Sequence, residues 1–356
     1  MNMKRIAILS NESRMFGGLN ILFPLYKWEN ELKDNNLDFE IYTNHCNKRI
    51  YHHEILVINS RYFQKKLNNG LFPDREPIKE FLTKLREFSI KIVFFDAGDS
   101  TGSDFFDLMG YVDVYLKKQL LIDKNLYLIN NGAISKRIWI TKSNDEKNVN
   151  YCPCKSEDLH KLKLAWNIGM VDYRYNPLKI GLISNYFFTR LNTSCSQIKR
   201  QILTTYRGSI HNNNTYSYQR NTLIKQLSET NLPVIFGKPI NRNKYLKELA
   251  ASKAIVSPFG WGEICYRDFE TFINGSILIK PDMSHLETFP NFFQQNVTYL
   301  PLNWQMSDLE EKLTMVNENY EDLIEIAHIG QKTFLNLYND SELFVTHINN
   351  IISTIE

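Results

Sequence analysis

The sequence predicts an α/β protein made of two Rossmann-like domains in tandem, followed by C-terminal helices. Runs of four to six residues are almost entirely apolar, segments with helical spacing lie between them, and glycine or polar residues follow several runs directly. Apolar strands that alternate with helices are typical of parallel sheets covered on both faces. At about 150 residues per domain, a chain of 356 residues has room for two such domains.

The N-terminal half begins with a predicted strand over Lys4–Leu9, a loop that contains Gly17 and Gly18, and a helix over residues 19–32. The further elements predicted in this half are strands at Phe39–Thr43, Glu54–Asn59, Ile90–Phe95 and Val112–Leu116, and a helix at Pro77–Phe88.

Polar residues over 141–160 and an irregular stretch over 171–196 separate this half from a second alternating pattern. The strands predicted there are Gln201–Thr205, Pro233–Phe236, Lys253–Val256 and Ser276–Ile279. The helices are Ser217–Glu229, Asn243–Ser252, Glu263–Ile273, Ser307–Asn317, Glu318–Leu337 and Ser341–Ile352. We therefore expect an N-terminal domain over residues 1–170, a C-terminal domain over 171–337, and a last helical segment over 338–356 that packs back on the first domain.

Charge and cysteine content narrow the class of protein. The net charge of +3 is too balanced for a protein whose main partner is a nucleic acid, although residues 307–356 hold ten acidic and two basic side chains, which leaves residues 1–306 basic. The first apolar run is too short for a secretory signal, and five scattered cysteines indicate a reducing compartment without a disulfide framework. We expect a cytoplasmic protein without a metal site.

The stretch Lys253–Lys280 holds the clearest candidate site. An apolar strand leads into a loop with Phe259, Gly260 and Gly262, and then into a helix that is predicted to carry Glu263, Arg267 and Glu270 on one face. Glycines let the backbone approach a ligand, a helix N-terminus offers free N–H groups to a phosphate, and a guanidinium can bind a diphosphate with two hydrogen bonds. The alternative is a solvated face with an ordinary Glu263–Arg267 ion pair.

A second stretch ends the predicted strand at 201–205 with the tripeptide Arg207-Gly208-Ser209, and Arg220 follows on the next helix. Taken in order, the two stretches resemble the donor-binding half of the protein O-glucosyltransferase and capsule-associated glycosyltransferases and, more distantly, the exostosins. The matching pieces are Arg207-Gly208-Ser209, Arg220, Gly262, Arg267, Glu270, Ser276–Lys280, Tyr299-Leu300-Pro301 and Ser307-Asp308-Leu309.

The resemblance implies a GT-B fold, two Rossmann-like domains facing a cleft, with a UDP- or GDP-type nucleotide sugar as co-substrate and no obligatory metal. It implies that Arg207, Ser209 and Arg267 contact the diphosphate and that Glu270 binds ribose or sugar hydroxyls. Gly208, Arg220, Phe259, Gly260, Gly262 and Glu263 complete the expected donor site. The Glu263–Glu270 spacing departs from the two-glutamate motif of many retaining enzymes, so the stereochemistry stays open.

The acceptor side is expected at strand ends of the first domain. One loop there contains Asn11, Gly17 and Gly18, and a second, after the strand at 90–95, carries Asp96 and Asp99. An inverting transfer needs a carboxylate that takes the proton of the acceptor hydroxyl, and Asp99, then Asp96, is our candidate. The alternative is ordinary turn chemistry, since Asp and Gly are frequent in loops.

The sequence thus predicts a glycosyltransferase that moves a hexosyl or related sugar to a glycan or glycolipid in surface polysaccharide or lipopolysaccharide synthesis. Basic pairs such as Lys65-Lys66 allow a peripheral contact with the inner face of the membrane, whereas a nucleic-acid partner is not expected. The alternatives are a GT-B sugar-nucleotide epimerase and a non-catalytic module that binds nucleotide sugars.

Overall fold

The computed structural model describes residues 3–11, 20–62, 75–103, 105–129, 152–174, 191, 199–208 and 217–355. The chain forms two compact units. Unit 1 comprises Met1–Lys136, Lys147–Thr189 and Asp340–Glu356, and unit 2 comprises Arg137–Glu146 and Arg190–Asn339. No helix in the described ranges is long and apolar enough to cross a membrane.

Unit 1 is built on a six-stranded sheet in which every described pairing is parallel. The strands of the unit are β1 (Lys4–Leu9), β2 (Leu37–Tyr42), β3 (Ile55–Asn59), β4 (Lys91–Asp96), β5 (Val114–Lys117), β6 (Gln119–Leu121) and β7 (Leu162–Leu164), and the order in the sheet is β2-β1-β3-β4-β5-β7. The helices are α1 (Phe23–Lys27), α2 (Glu29–Asp34), α3 (Glu76–Glu87) and α9 (Ser341–Ser353). Strands β3 and β4 are almost wholly buried, as their apolar runs predict.

The helix predicted over residues 19–32 is divided at Trp28. This residue leaves the helical region at φ −118° and ψ 35°, and its buried ring lies 4.9 Å from the ring of Phe344 on α9. The gain from burying an indole against an aromatic partner outweighs the continuous helix that the spacing predicts.

Unit 2 contains a five-stranded sheet, again with parallel pairings throughout its described strands. Its strands are β8 (Ile202–Arg207), β9 (Val234–Gly237), β10 (Ser252–Val256), β11 (Ile277–Pro281), β12 (Leu286–Thr288) and β13 (Leu300–Leu302), and the sheet order is β13-β11-β10-β8-β9. The helices are α4 (Tyr218–Glu229), α5 (Arg242–Ala251), α6 (Tyr266–Asn274), α7 (Leu309–Glu318) and α8 (Tyr320–Asn339). The core lies between this sheet and helices α4, α7 and α8.

Both sheets reverse their strand order at one place. In unit 1 the chain runs from β1 outward to β2 and then returns to add β3 on the other side of β1. In unit 2 it runs from β8 to β9 and then adds β10 on the other side of β8. Open parallel sheets bind ligands outside the carboxyl ends of the two strands that flank such a reversal. The fold therefore marks the ends of β1 and β3, and those of β8 and β10, as candidate sites.

Arg200 lies just before β8, at the end of the unit 2 sheet opposite the strand reversal. Its buried guanidinium donates hydrogen bonds to the carbonyl oxygens of Ala250, Ser252, Asn274 and Gly275. The carbonyls of Ala250 and Asn274 belong to the last turns of α5 and α6, and that of Gly275 directly follows α6, where helices leave carbonyl groups unsatisfied. One guanidinium group thus satisfies carbonyl groups at the C-terminal ends of two helices.

Candidate functional site

Two arginines meet beside Tyr206 at the strand reversal of unit 2. The guanidinium carbon of Arg267 lies 4.7 Å from the centre of the Tyr206 ring, and Nη2 donates to the carbonyl oxygen of Arg207 at 3.0 Å. Burial raises the pKa of Tyr206, and the charges of Arg267 and Arg220 act against that rise. Neither Arg220 nor Arg267 pairs with a carboxylate of the described residues, and Arg267 Nε and the Tyr206 hydroxyl are buried there without a hydrogen-bond partner.

Two glycines provide the space for this cationic pocket, which we define as Arg220, Arg267 and Tyr206, and a third lies against the neighbouring Arg207. A Cβ atom at Gly208 would lie 2.5 Å from the Tyr206 hydroxyl, and one at Gly260 would overlap the Arg220 guanidinium. Gly237, at the end of β9, has φ +140°, and its Cβ would lie 3.2 Å from Arg207 Nη1. Sequence reasoning expected Gly208 and Gly260 and missed Gly237.

Arg207 has a carboxylate partner that the sequence did not reveal. Glu248 on α5 accepts hydrogen bonds from Arg207 Nε at 2.8 Å and Nη2 at 2.7 Å, and the Thr205 hydroxyl donates to the same carboxylate at 3.1 Å. The hydrogen bonds from Arg207 lower the pKa of Glu248 below its ordinary value. In this structure Arg207 therefore supplies its carbonyl oxygen to Arg267, while its guanidinium is taken up by Glu248.

The sequence predicts Glu263, Arg267 and Glu270 on one face of a helix, and this prediction is wrong for Glu263. Helix α6 begins at Tyr266, because the carboxylate of Asp268 accepts a hydrogen bond from the backbone N–H of Cys265 at 2.9 Å and fixes the first turn there. Glu263 lies in the preceding loop and is fully buried. The alternative of a solvated Glu263–Arg267 pair is wrong as well, because Glu263 is inaccessible to solvent.

Glu270 is held by two side chains of α5. Its Oε1 accepts from Arg242 Nη1 at 2.6 Å, and its Oε2 accepts from the Tyr245 hydroxyl at 2.9 Å. Burial, followed by the negative charge of Glu270, raises the pKa of Tyr245 well above its ordinary value, so the phenol keeps its proton and donates it to this carboxylate. Each carboxylate oxygen can accept a second hydrogen bond, which leaves Glu270 able to bind hydroxyl groups.

The Asp268 side chain forms hydrogen bonds with both ends of the glycine loop, which we define as residues 257–265. This side chain accepts from the Ser257 hydroxyl at 2.5 Å as well as from Cys265, and it forms an ion pair with Lys280 at 2.9 Å. In the middle of the loop, the backbone N–H of Phe259 donates to the buried Gln219 side chain at 2.8 Å. These contacts place Gly260 and Gly262 in a fixed loop at the end of β10.

In unit 1, Asp99 lies beyond the end of β4 between two cations. Its Oδ1 accepts from Lys118 Nζ at 2.7 Å and from Arg61 Nη2 at 3.5 Å, and 51% of the Asp99 side chain is exposed. Burial acts to raise the pKa of Asp99, but the charges of Lys118 and Arg61 and the Lys118 hydrogen bond lower it below its ordinary value. Oδ2 makes no hydrogen bond or ion pair with the described residues.

Asp96, the second candidate base, is unsuited to that role. Only 2% of its surface is exposed, and its carboxylate accepts from Lys117 Nζ at 2.9 Å, the Tyr115 hydroxyl at 3.1 Å and the Gly98 N–H at 2.9 Å. Burial opposes ionisation, yet the charge of Lys117 and hydrogen bonds from Ser103, Lys117 and the Gly98 N–H lower the pKa of Asp96. A carboxylate whose oxygens are already bonded in the core cannot reach an acceptor hydroxyl.

Asn11 joins the two strands at the reversal of unit 1. Its amide nitrogen donates to the carbonyl oxygens of Arg61 at 2.8 Å and Tyr62 at 3.1 Å, just after the end of β3. Gly17, Gly18 and Ser209, which the sequence analysis also predicts to be site residues, lie outside the described residues. Within the described part of the chain, no three His, Cys, Asp or Glu side chains are placed to hold a metal ion.

Comparison with known proteins identifies the fold. No family model matches the chain, and no curated protein matches it. Among solved structures, a DNA-modifying β-glucosyltransferase studied with and without uridine diphosphoglucose has a TM-score of 0.50 at 11% identity, over 98% of this chain and 99% of that one. Anabaena Alr3699/HepE in complex with UDP-glucose has a TM-score of 0.46 at 10% identity, over 98% and 99%. The protein has the GT-B fold with two Rossmann-like domains, as the sequence predicts.

Proposed function

We propose that this chain is a glycosyltransferase that uses a nucleotide sugar and transfers the sugar to a hydroxyl group. The observation that carries the proposal is the cationic pocket at the strand reversal of unit 2, where Arg220 and Arg267 have no described carboxylate partner. A partly buried guanidinium without a counter-ion is costly, so such a pair favours an anionic ligand. In a GT-B fold, that ligand is the diphosphate of the donor.

In the proposed donor complex, Arg220 and Arg267 bind the diphosphate and stabilise the charge that develops on it as the sugar leaves. Glu270, oriented by Arg242 and Tyr245, accepts hydroxyl groups of the ribose or the sugar. The fixed glycine loop brings backbone close to the ligand without a side chain in the way. Arg207 is assigned to the support of this pocket through Glu248, and its contact with the diphosphate stays a prediction.

We assign the acceptor to the strand ends of unit 1 and the base to Asp99. In an inverting transfer, the bond between the anomeric carbon and the diphosphate oxygen breaks, and the acceptor oxygen forms the new bond to that carbon. The acceptor proton passes to Asp99 Oδ2, and the nucleoside diphosphate leaves with the bonding electron pair. Oδ1 stays bonded to Lys118, so the reacting oxygen has a fixed direction.

The acceptor proposed is a glycan or a glycolipid of a surface polysaccharide or lipopolysaccharide. A glycolipid acceptor would bring the protein to the inner face of the membrane, where the basic residues of the chain meet anionic lipid. A hexosyl donor of UDP or GDP type is part of the same proposal.

The test is a thermal-shift panel with UDP, GDP, TDP, CMP and their common sugar conjugates. A ligand that binds only the folded state raises the melting temperature, by about 5 °C at one hundred times its dissociation constant. We expect one nucleoside diphosphate to give this rise, Arg220→Gln and Arg267→Gln to remove it, and Lys225→Gln, an exposed change on α4, to leave it intact. A rise unchanged in both arginine variants would refute the site, and an isomeric sugar nucleotide formed without acceptor would identify an epimerase.

A further inference from the structure

The outer side of α5 and the loop before it carry a group of exposed lysines. Lys238 lies in the loop that follows β9, and Lys244 and Lys247 lie on the helix itself. Residues three apart on a helix are neighbours on its surface, so the two helical lysines lie side by side. We call Lys238, Lys244 and Lys247 the basic face of unit 2.

Acidic residues do not neutralise this basic face. Over residues 230–262 the sequence has a single acid, Glu248, which follows Lys244 at the four-residue spacing typical of helical ion pairs. Its two carboxylate oxygens, however, accept hydrogen bonds from Arg207 at 2.7 and 2.8 Å. The three lysines therefore form no ion pair within the part of the chain that the structure describes.

The charges of α5 are also opposed to its helix dipole. The N-terminal end of a helix is partially positive and favours acids in the first turn, as α7 and α8 have. The first turn of α5 holds Arg242 and Lys244 and no acid. Arg242 is bound to Glu270, whereas Lys244 meets both the dipole and the like charge of Lys247. This arrangement costs stability in the free protein and favours an anion outside it.

Unit 2 is electrically polarised across its sheet. Helix α5 packs against β8 and β10 on the face opposite to the core that contains α4, α7 and α8. On that other side, α7 and α8 expose six acids, Glu310, Glu311, Glu318, Glu321, Asp322 and Glu325, and one lysine, Lys332. A negatively charged surface would attract α5 and repel α7 and α8, so it would orient the whole unit.

A lipid surface fits the basic face better than a nucleic acid does. Lysine carries a hydrated point charge that suits a diffuse anionic surface, whereas nucleic acids are bound mainly by arginine forks. Arg242, the arginine on this helix, is already bound to Glu270. The loop before α5 adds the exposed Pro239 and the half-buried Ile240, and apolar groups between lysines can enter the headgroup region of a bilayer.

We propose that the basic face of unit 2 binds the anionic surface of a lipid membrane. The inference deepens the proposed function and rests on it, because a glycolipid acceptor would lie in that membrane. Helix α5 also supports the donor site, since its Glu248 holds Arg207 and its Arg242 and Tyr245 hold Glu270. The helix that supports the donor site is then the helix that meets the lipid.

The experiment is sedimentation of the full chain with two kinds of vesicle, phosphatidylcholine alone and phosphatidylcholine with about 30% phosphatidylserine, in about 0.1 M salt. We expect binding to the anionic vesicles, none to the neutral ones, and release in about 1 M salt, where charges are screened within about 3 Å. Each lysine near an anionic surface changes the partition coefficient about fivefold, so Lys238→Gln/Lys244→Gln/Lys247→Gln should lower it about a hundredfold.

The matched control is Lys199→Gln/Lys225→Gln/Lys332→Gln, which removes the same charge from three other exposed lysines of unit 2. It should keep the partition coefficient within about fivefold of the wild-type value. Equal losses in the two triple variants, equal binding to neutral vesicles, or no binding to anionic vesicles overturns the inference. Duplex DNA that binds more tightly than the vesicles, and that depends on the basic face, would identify a nucleic-acid partner and also overturn it.

The vesicle assay contains no nucleotide, so its result does not depend on the donor site. Binding through the basic face supports the membrane surface even if no nucleotide raises the melting temperature, which would count against the proposed function alone. A nucleotide response that is unchanged in the basic-face variant, together with no binding to vesicles, supports the donor site and overturns the membrane surface. The two failures are therefore distinguishable.

Discussion

Asp268 and Lys280 form an ion pair at 2.9 Å between side chains that are both fully buried. Asp268 also accepts hydrogen bonds from Ser257 and Cys265, which stand at the two ends of the glycine loop. The ammonium of Lys280 lies 5.1 Å from the centre of the Phe259 ring, so the pair contacts a residue within the loop as well as both of its ends. A single buried charge pair thus sets the shape of the loop that faces the proposed donor.

Removing one partner of this pair should destabilise unit 2 strongly. Lys280→Met leaves the Asp268 carboxylate buried without its cation, and breaking a buried pair in this way costs about 3–5 kcal/mol of the free energy of unfolding. Denaturation in urea, followed through the tryptophans of unit 2, measures the loss. The double variant Asp268→Asn/Lys280→Met should recover part of it, because no charge is left in the core. A double variant that loses the sum of the two single losses would contradict a coupled pair.

The hydrogen bonds of Arg200 lead to a second prediction about stability. Arg200→Met removes every hydrogen bond from the buried guanidinium to the carbonyl groups at the ends of α5 and α6. Hydrogen bonds to charged groups contribute about 1.5–3 kcal/mol each, and several are lost together, so we expect at least 3 kcal/mol. Lys199→Met, at the exposed neighbour, is the control and should change the free energy of unfolding by less than about 0.5 kcal/mol.

The longer strands of both sheets could be predicted from the sequence, because buried parallel strands are continuous apolar runs, whereas the three-residue strands β6, β7, β12 and β13 were missed. Strand β3, for example, begins one residue after its predicted start and ends where predicted. Helix starts were harder, since the start of α6 depends on the bond between Asp268 and Cys265, and the division at Trp28 depends on a ring that is more than 300 residues away in sequence. These errors come from side-chain contacts that periodicity does not encode.

The sequence predicted the residue types of the candidate sites better than it predicted which side chains pair with each other. Arginines and glycines at strand ends indicated an anion pocket, and in the structure Gly208 and Arg267 lie against Tyr206 and Gly260 lies against Arg220. The partner of Arg207 is 41 residues away, and those of Glu270 are 25 and 28 residues away, all on α5. A single sequence does not show which carboxylate faces which cation, so Glu248, Arg242 and Tyr245 were missed.

Gly260→Ala tests whether the glycine loop makes room for Arg220. The added methyl group would overlap the guanidinium and displace it from the cationic pocket, so nucleotide affinity should fall about tenfold or more while the fold persists. Isothermal titration with the nucleotide found in the thermal-shift panel measures the change. Gly110→Ala is the matched control, because a Cβ at Gly110 meets no atom within 4 Å. Unchanged affinity in Gly260→Ala would separate Arg220 from the donor site.

The proposed role of Asp99 predicts a specific pH dependence of the proposed sugar transfer. A general base works only when deprotonated, so the rate falls as the pH drops through its pKa, and a lowered pKa keeps the enzyme active to unusually acidic pH. Lys118→Met removes the closer cation, so the pKa of Asp99 rises and the acid limb of kcat/KM should move up by about one pH unit or more. Asp99→Asn should lower kcat about 10²–10⁴-fold at pH values above the pKa of Asp99, and the acid limb should disappear.

Asp96→Asn separates the base from its buried neighbour. The folded-state pKa of Asp96 is lowered, so its contribution to stability is present above the ordinary aspartate pKa and is lost as the pH falls through the folded value. The variant should therefore unfold more easily at neutral pH, while the acid limb of kcat/KM stays where Asp99 sets it. If the limb instead vanished in Asp96→Asn and persisted in Asp99→Asn, the roles of the two carboxylates would be reversed. Because Asp96 ends β4, Asp99 follows it and only Asp99 is exposed, this outcome would require the loop after β4 to rearrange before the acceptor binds.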